Sequence, residues 1–192
     1  MFKTRLRYYV IVSLSVFTVT DLSAVAQEET GTSAVPLLEG TPRAPKPAQA
    51  ATQDSWRFCR KCNLMFYDGY PNKGRCAAGG GHVAAGFNFI LPYNAPEAKH
   101  AQTAWRYCGK CHAMFYDGYP NKGACAAGGG HVAAGFNFVL PHDVPPRGVV
   151  QAAWRYCGKC HAMFYDGSPN KGACAAGGGH VAAGFNFVLR HQ

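Results

Sequence analysis

The stretch from Trp105 to Leu140 reads WRYCGKCHAMFYDGYPNKGACAAGGGHVAAGFNFVL, and two further copies of it stand in the same chain. The copies begin at Trp56, Trp105 and Trp154, at a constant interval of 49 residues. The third copy differs from the second only at Ser168, which replaces Tyr119. The first copy differs from the second at Phe58, Arg60, Asn63, Leu64, Arg75 and Ile90. Near-identical segments at a fixed period predict three modules of the same structure.

Each copy has the composition of short β-strands joined by turns. The aromatic run MFY and the alternating segment FNFVL favour strands, whereas DGYPNKG and GGG are dense in turn-forming residues. No stretch of the copies repeats apolar residues at helical intervals. The sequence therefore predicts small β-rich repeats in three tandem modules, with little or no helix. A β-trefoil-like closed arrangement of the three repeats is the alternative.

Three cysteines and one histidine recur in every copy with the spacing C-x2-C-x13-C-x5-H. A module this small, with few aliphatic side chains, needs a cross-link or a metal to fold stably. Three cysteines cannot all pair within one module, which counts against disulfides, whereas three thiolates and an imidazole complete a tetrahedral structural zinc site. The predicted ligands of one zinc ion per repeat are Cys59, Cys62, Cys76 and His82; Cys108, Cys111, Cys125 and His131; and Cys157, Cys160, Cys174 and His180.

Two other uses of these cysteines stay open at this point. Disulfides are the usual state of cysteines in exported proteins. The segments Cys108–His112 and Cys157–His161 also match the C-x-x-C-H attachment motif of haem c, so a small c-type cytochrome is an alternative function. The first copy has Asn63 where that motif needs histidine, and haem would leave the third cysteine of each copy without a role. A zinc-buffering protein is a further alternative.

The N-terminal part of the chain predicts export. Residues 1–26 place three basic residues before a short apolar run and end in Ala-Val-Ala, a pattern typical of a cleaved signal peptide. Residues 27–55 are rich in Pro, Ala and Thr and predict a disordered linker. The repeats then span 56–92, 105–141 and 154–190. We expect a secreted or periplasmic protein with no transmembrane segment after signal cleavage.

The recurring polar residues favour binding over catalysis. The formal net charge is +9 for the full sequence. Removal of a signal peptide and zinc binding by thiolates would both lower this charge, so no nucleic-acid partner is expected. No paired carboxylates or nucleophile–base set recurs within a module, and we predict that the chain is not an enzyme. An aromatic side chain beside a carboxylate and an amide suits a sugar ring. The candidate ligand-binding residues are Tyr67, Asp68 and Asn72; Tyr116, Asp117 and Asn121; and Tyr165, Asp166 and Asn170.

The pattern W-R-[FY]-C-x-K-C-x2-M-F-Y, followed by C-A-A-G-G-G-H and G-F-N-F-x-L, resembles a tandem Cys3His repeat of exported bacterial proteins of unassigned function. The resemblance covers Trp56 to Leu189 except the spacers. It implies export and modularity and supplies no activity. The chain also carries three copies of the same module, and several weak contacts on one chain give a higher overall affinity. The resemblance and the three copies together lead to the hypothesis of a multivalent binding protein. Its partner would be an extracellular or envelope polymer such as a glycan, or a surface protein.

Overall fold

The computed structural model describes residues 50–192, so the predicted signal peptide and most of the predicted linker lie outside the described residues. Each module contributes three strands. They are β1 (Ala51–Cys59), β2 (Met65–Tyr67) and β3 (Ala84–Tyr93); β4 (Ala101–Cys108), β5 (Met114–Tyr116) and β6 (Ala133–Pro141); and β7 (Val150–Cys157), β8 (Met163–Tyr165) and β9 (Ala182–Arg190). Residues 50–192 contain no helix, which confirms the predicted β-rich class. None of the described residues therefore forms a helix able to cross a membrane.

The first strand of each module begins several residues before the copy that contains the rest of it. Strand β1 begins at Ala51, inside the segment predicted as linker, and β4 and β7 begin at Ala101 and Val150, within the spacers. In module 2, β4 pairs antiparallel with both β5 and β6, so Trp105 lies opposite Tyr116 on one side and Phe138 on the other. Modules 1 and 3 repeat this register. The spacers therefore supply strand residues.

A bulge interrupts the first strand of each module just before its tryptophan. In module 2 the register shifts between Gln102 and Trp105, and Ala104 has a φ of 63°. This left-handed conformation is costly for a residue with a β-carbon. The Asn137 side chain stabilises the bulge, because its Oδ1 accepts a hydrogen bond of 2.9 Å from the Ala104 N–H. The asparagine of the GFNF segment thus has a structural role, and the same bond recurs in the other two modules.

The three modules close into a ring. The Tyr67 N–H donates to His112 O, 3.0 Å away in module 2, and the Tyr116 N–H donates to His161 O, 2.9 Å away in module 3. The Tyr165 N–H completes the cycle by donating to Asn63 O, 2.9 Å away in module 1. The third strands of the modules also contact one another in a cycle, β3 with β6, β6 with β9 and β9 with β3. The repeats therefore form the closed arrangement that the sequence left as an alternative.

Two layers of buried side chains fill the ring. We name them the cysteine layer and the aromatic layer. The cysteine layer holds all nine cysteines together with Leu64, Phe66, Ala113, Phe115, Ala162 and Phe164. The aromatic layer holds Trp56, Met65, Phe89 and Leu91; Trp105, Met114, Phe138 and Leu140; and Trp154, Met163, Phe187 and Leu189. Successive residues of a strand point to opposite faces, so adjacent Met114 and Phe115 serve different layers.

Candidate metal centres and inter-module clefts

The structure brings the four predicted zinc ligands of each module together. In every module the three cysteine sulfurs and one histidine nitrogen lie within 4.8 Å of one another, and all four residues are buried. The first and third sulfurs are 4.0, 3.9 and 4.0 Å apart in modules 1, 2 and 3. The second sulfur lies 3.5 Å from the histidine Nδ1 in each. A tetrahedron around zinc separates two sulfurs by about 3.8 Å and a sulfur from a nitrogen by about 3.5 Å. The donor atoms fit a tetrahedral metal ion.

Two turns position the thiols. After β1, the Cys59 N–H donates to Leu64 O at 2.9 Å and the Asn63 N–H donates to Cys59 O at 2.8 Å, which curls the C-x-x-C segment into a tight turn. The third cysteine begins a glycine loop, where the Cys76 N–H donates to Gly80 O at 2.8 Å. Gly80 has a φ of 61°, which glycine adopts without steric cost. The same turns recur in modules 2 and 3.

The thiols of the first two cysteines in each cluster shift each other's pKa. A hydrogen bond from the Cys62 thiol lowers the pKa of Cys59 to about 3, and the same interaction raises the pKa of Cys62. Hydrogen bonds from Cys111 and Cys160 likewise lower the pKa of Cys108 and of Cys157 to about 3. Negative charge buried at this depth is costly unless a cation neutralises it. The clusters are therefore suited to a positively charged ion.

Each histidine of a cluster also contacts the next module around the ring. His82 Nε2 is 3.1 Å from Cys111 O, His131 Nε2 is 3.1 Å from Cys160 O, and His180 Nε2 is 3.1 Å from Cys62 O. Since a carbonyl only accepts hydrogen bonds, Nε2 carries the proton and Nδ1 is left free to bind a metal. Such a bond fixes the tautomer and ring orientation of a metal ligand. The three metal centres are thus linked through the turns that carry their second cysteines.

The histidines of the C-x-x-C-H segments do not join the clusters. His112 and His161 have φ values of 67° and 65°, and Asn63 occupies the equivalent position at 61°. Each faces the preceding module: Asn63 Nδ2 donates to Asn170 O at 2.6 Å, and His161 Nδ1 lies 3.1 Å from Asn121 O. Both cysteines of each motif already belong to a Cys3His group. This geometry does not favour haem attachment.

The structure uses the candidate ligand-binding residues in two different ways. Asp68 forms an ion pair with Lys73 at 2.7 Å, and Asn72 Oδ1 accepts a hydrogen bond of 2.9 Å from the Gly74 N–H. The same ion pair and turn bond hold Asp117, Asn121, Asp166 and Asn170. A β-carbon on Gly74 would lie 2.3 Å from Cys111 O, so this turn is docked against the neighbouring module. These aspartates and asparagines thus stabilise turns, and Asn170 also lies beside Tyr165 in a cleft between modules.

Tyr67, Tyr116 and Tyr165 line three equivalent clefts between modules, which sequence reasoning did not predict. We name these cleft 1–2, cleft 2–3 and cleft 3–1 after the modules that form them. In cleft 1–2, Tyr67 and Tyr70 of module 1 face Tyr107 and Phe136 of module 2, with Gln53 beside them. Cleft 2–3 repeats this set with Gln102, Tyr116, Tyr119, Tyr156 and Phe185. Cleft 3–1 contains Gln151, Tyr165, Ser168, Phe58 and Phe87 at the same positions.

Exposed aromatic side chains mark these clefts. Tyr70 and Tyr119 are each 51% exposed, and Phe87, Phe136 and Phe185 are also exposed. Burial raises the pKa of Tyr107 and of Tyr156 to about 12. Their hydroxyl groups, like those of ordinary tyrosines, are protonated at neutral pH and can donate hydrogen bonds. In each copy this phenylalanine follows a glycine of positive φ, a backbone feature that the alternating sequence pattern FNFVL did not show. Its partner module could not be identified from sequence alone.

No protein-family model, no curated protein and no solved structure matches the sequence. The three Cys3His groups confirm a tandem Cys3His repeat, and the wider resemblance to exported bacterial proteins stays a prediction. The chain is therefore a metal-stabilised repeat protein, on the evidence of three buried groups of metal-binding residues at a fixed period.

Proposed function

We propose that this chain is an exported, non-enzymatic binding protein that holds three zinc ions and recognises a repetitive neutral glycan through its inter-module clefts. The observation that carries the proposal is the cleft lined by aromatic rings and hydroxyl groups, present three times around one ring. Three sites on one scaffold make a second contact with a polymer intramolecular, and this raises the overall affinity without new contacts.

Zinc is the metal that the donor set supports best. Three thiolates and one imidazole in a closed tetrahedral group are typical of structural zinc, whereas catalytic zinc keeps an open position. Bound zinc would offset two of the three negative charges of the buried thiolates and hold the C-x-x-C turn to the glycine loop. The histidine bonds to the next module support a structural role over buffering, because they tie each centre to the closure of the ring.

The chemistry of the clefts favours a sugar. Within the described part of the chain, no charged side chain lines cleft 1–2 or cleft 2–3, so these surfaces offer no formal charge to pair with an ionic ligand. They combine aromatic faces with the hydroxyl groups of three tyrosines and a glutamine carboxamide, which suits the apolar face and the hydroxyl groups of a sugar ring. Their volumes of about 280 and 270 Å³ are small for a complete drug-sized ligand. Each cleft is suited to a single unit of a longer chain.

A titration with neutral hexasaccharides tests this proposal. The double variant Tyr70→Ser, Tyr119→Ser removes one ring from cleft 1–2 and one from cleft 2–3, and Ser168 shows that the fold accommodates serine at this position. We expect the protein to bind a hexasaccharide of glucose, mannose or N-acetylglucosamine, and the double variant to bind at least about tenfold more weakly, because stacking is lost twice.

The control is Val132→Ser, which changes an exposed apolar side chain outside the three clefts. Binding should be unchanged in this variant. Isothermal titration calorimetry gives the affinity, and elemental analysis of the same samples should give three zinc ions per chain. The proposal fails if no neutral hexasaccharide binds, or if the double variant binds as tightly as the wild type.

A further inference from the structure

Most of the differences among the three modules converge on one cleft. The copies differ at seven positions, six in the first copy and one in the third. Four of these line cleft 3–1: Phe58, Arg60, Asn63 and Ser168. The four positions are far apart in sequence and belong to two modules, which the closure of the ring brings together. Cleft 3–1 is therefore chemically distinct from the other two.

The first difference is space. In cleft 1–2 the Tyr70 ring lies 6.2 Å from Tyr107, and in cleft 2–3 the Tyr119 ring lies 6.3 Å from Tyr156. Ser168 has no ring at this position, so cleft 3–1 has a volume of about 360 Å³, against about 280 and 270 Å³ in the others. The rings of Phe58 and Tyr165 remain, 6.1 Å apart. The cleft can accept a bulkier group against an aromatic wall.

The second difference is charge. Arg60 lines cleft 3–1 and is exposed, whereas glycine occupies the equivalent positions in modules 2 and 3. Among residues 50–192 no carboxylate forms an ion pair with Arg60, and Asp166, the recurring carboxylate of module 3, is paired with Lys171 at 2.7 Å. The guanidinium group is thus available to an external anion, and its planar fork matches a carboxylate in two parallel hydrogen bonds.

We propose that cleft 3–1 binds an acidic sugar unit, with the ring against Phe87 and Tyr165 and the carboxylate on Arg60. This inference rests on the proposed function, since it assigns a second sugar class to the same set of clefts. A single arginine beside an aromatic wall favours one carboxylate-bearing ring over a nucleic acid, which needs several cations along its backbone. The protein then recognises a polymer in which neutral and acidic units occur together, or a neutral chain with acidic branches.

The other modules show which substitutions the fold accepts in cleft 3–1. Ser168→Tyr and Arg60→Gly each give cleft 3–1 the residue that the other modules carry, so neither change is foreign to the fold. The probes are uronic acid hexasaccharides of galacturonate, mannuronate or glucuronate, beside the neutral hexasaccharides. We expect uronate binding to weaken about tenfold or more in Arg60→Gly, and to be lost in Ser168→Tyr because the added ring fills the space.

The matched control is Arg75→Ala. Arg75 is the other arginine found only in module 1, it lies outside cleft 3–1, and alanine is the residue of the other copies. Uronate binding should be unchanged in this variant, and neutral-sugar binding by clefts 1–2 and 2–3 should be unchanged in Arg60→Gly, because Arg60 lines neither of them. Uronate affinity should also fall as salt is raised, since screening weakens an exposed charge pair.

The outcomes separate this inference from the proposed function. If neutral sugars bind and uronates do not, or if uronate binding survives both cleft variants, the acidic site is wrong and the neutral binder stands. If uronate binding weakens equally in Arg60→Gly and Arg75→Ala, the contact is only general positive charge, and the site is again wrong. If neither class binds, the proposed function itself is overturned.

Discussion

The cysteine layer and the aromatic layer lie in the same ring and obey different physical rules. The aromatic layer consists of Trp, Met, Phe and Leu side chains that are almost fully buried, so transfer of apolar surface from water stabilises it directly. The cysteine layer is also buried, but its centre consists of thiols and imidazoles whose charge requires a counterion. One layer depends on packing alone, and the other depends on packing and a metal.

Both layers cross the module boundaries. In the aromatic layer, Trp56 meets Phe138 of module 2 edge-on at 5.0 Å, and Trp105 meets Phe187 of module 3 in the same way. In the cysteine layer, the histidine of each cluster bonds to the second cysteine of the next module. A single module would expose its tryptophan and leave its histidine unbonded. Stability is therefore a property of the ring, and a change in one module is expected to reach its neighbours.

The largest expected effect comes from removing a metal donor. Cys125→Ser leaves three donors in module 2, and because metal binding supplies folding free energy in small metal-stabilised domains, we expect a loss of more than about 5 kcal/mol in the free energy of unfolding. Zinc content should fall from three ions to two or fewer per chain. Ala124→Ser, on the same loop, is the control and should keep all three. A variant that retains three zinc ions and the wild-type unfolding midpoint would show that Cys125 is not a donor.

A smaller loss is expected in the aromatic layer. Leu140 is fully buried there, and Leu140→Ala should lower the free energy of unfolding by about 3 kcal/mol through lost burial and the cavity left behind. Zinc content should stay at three, because the substituted side chain lies in the other layer. Urea denaturation and elemental analysis measure the two quantities, with Val149→Ala at an exposed position as control. Loss of zinc in Leu140→Ala would mean that the layers are not separable.

The metal donors could be predicted from sequence because their chemistry depends on local spacing. C-x-x-C forms a turn by itself, and the odd number of cysteines in each repeat is enough to favour a metal over disulfides. The β-rich class followed equally from short strand and turn patterns. The signal peptide and the linker were also predicted from local patterns, and residues 1–49 lie outside the described residues.

The ring and its clefts could not be predicted in the same way, because they depend on contacts between modules. A constant spacer length agrees with independent modules joined by linkers as well as with a closed ring. The prediction of Tyr67 as a binding residue depended on its neighbours in sequence, Asp68 and Asn72, yet its neighbours in the cleft are Tyr107 and Phe136 of the next module. Even the bulge that begins each repeat is fixed by an asparagine 33 residues away. The residues that form the clefts and the bulges are therefore distant in sequence, and local patterns do not reveal their contacts.

The smallest expected effect concerns His112, which lies at the edge of the cysteine layer without being a donor. Its φ of 67° suits asparagine, which tolerates the left-handed conformation better than most residues and occupies this position in module 1. His112 Nδ1 is buried without a hydrogen-bond partner among residues 50–192, whereas the Asn63 amide donates to Asn170 O. We therefore expect His112→Asn to change the free energy of unfolding by less than about 0.5 kcal/mol and to keep three zinc ions.

The comparison variant is His112→Val, since a β-branched side chain is strained at positive φ and is expected to cost about 1–2 kcal/mol at the same site. Urea denaturation of the two variants, with zinc content measured on each, separates backbone strain from loss of a ligand. A strained backbone predicts that valine is worse than asparagine while zinc remains. If both variants lose one zinc ion, then His112 is a donor, and His131, although 3.5 Å from Cys111 Sγ, is not the fourth ligand.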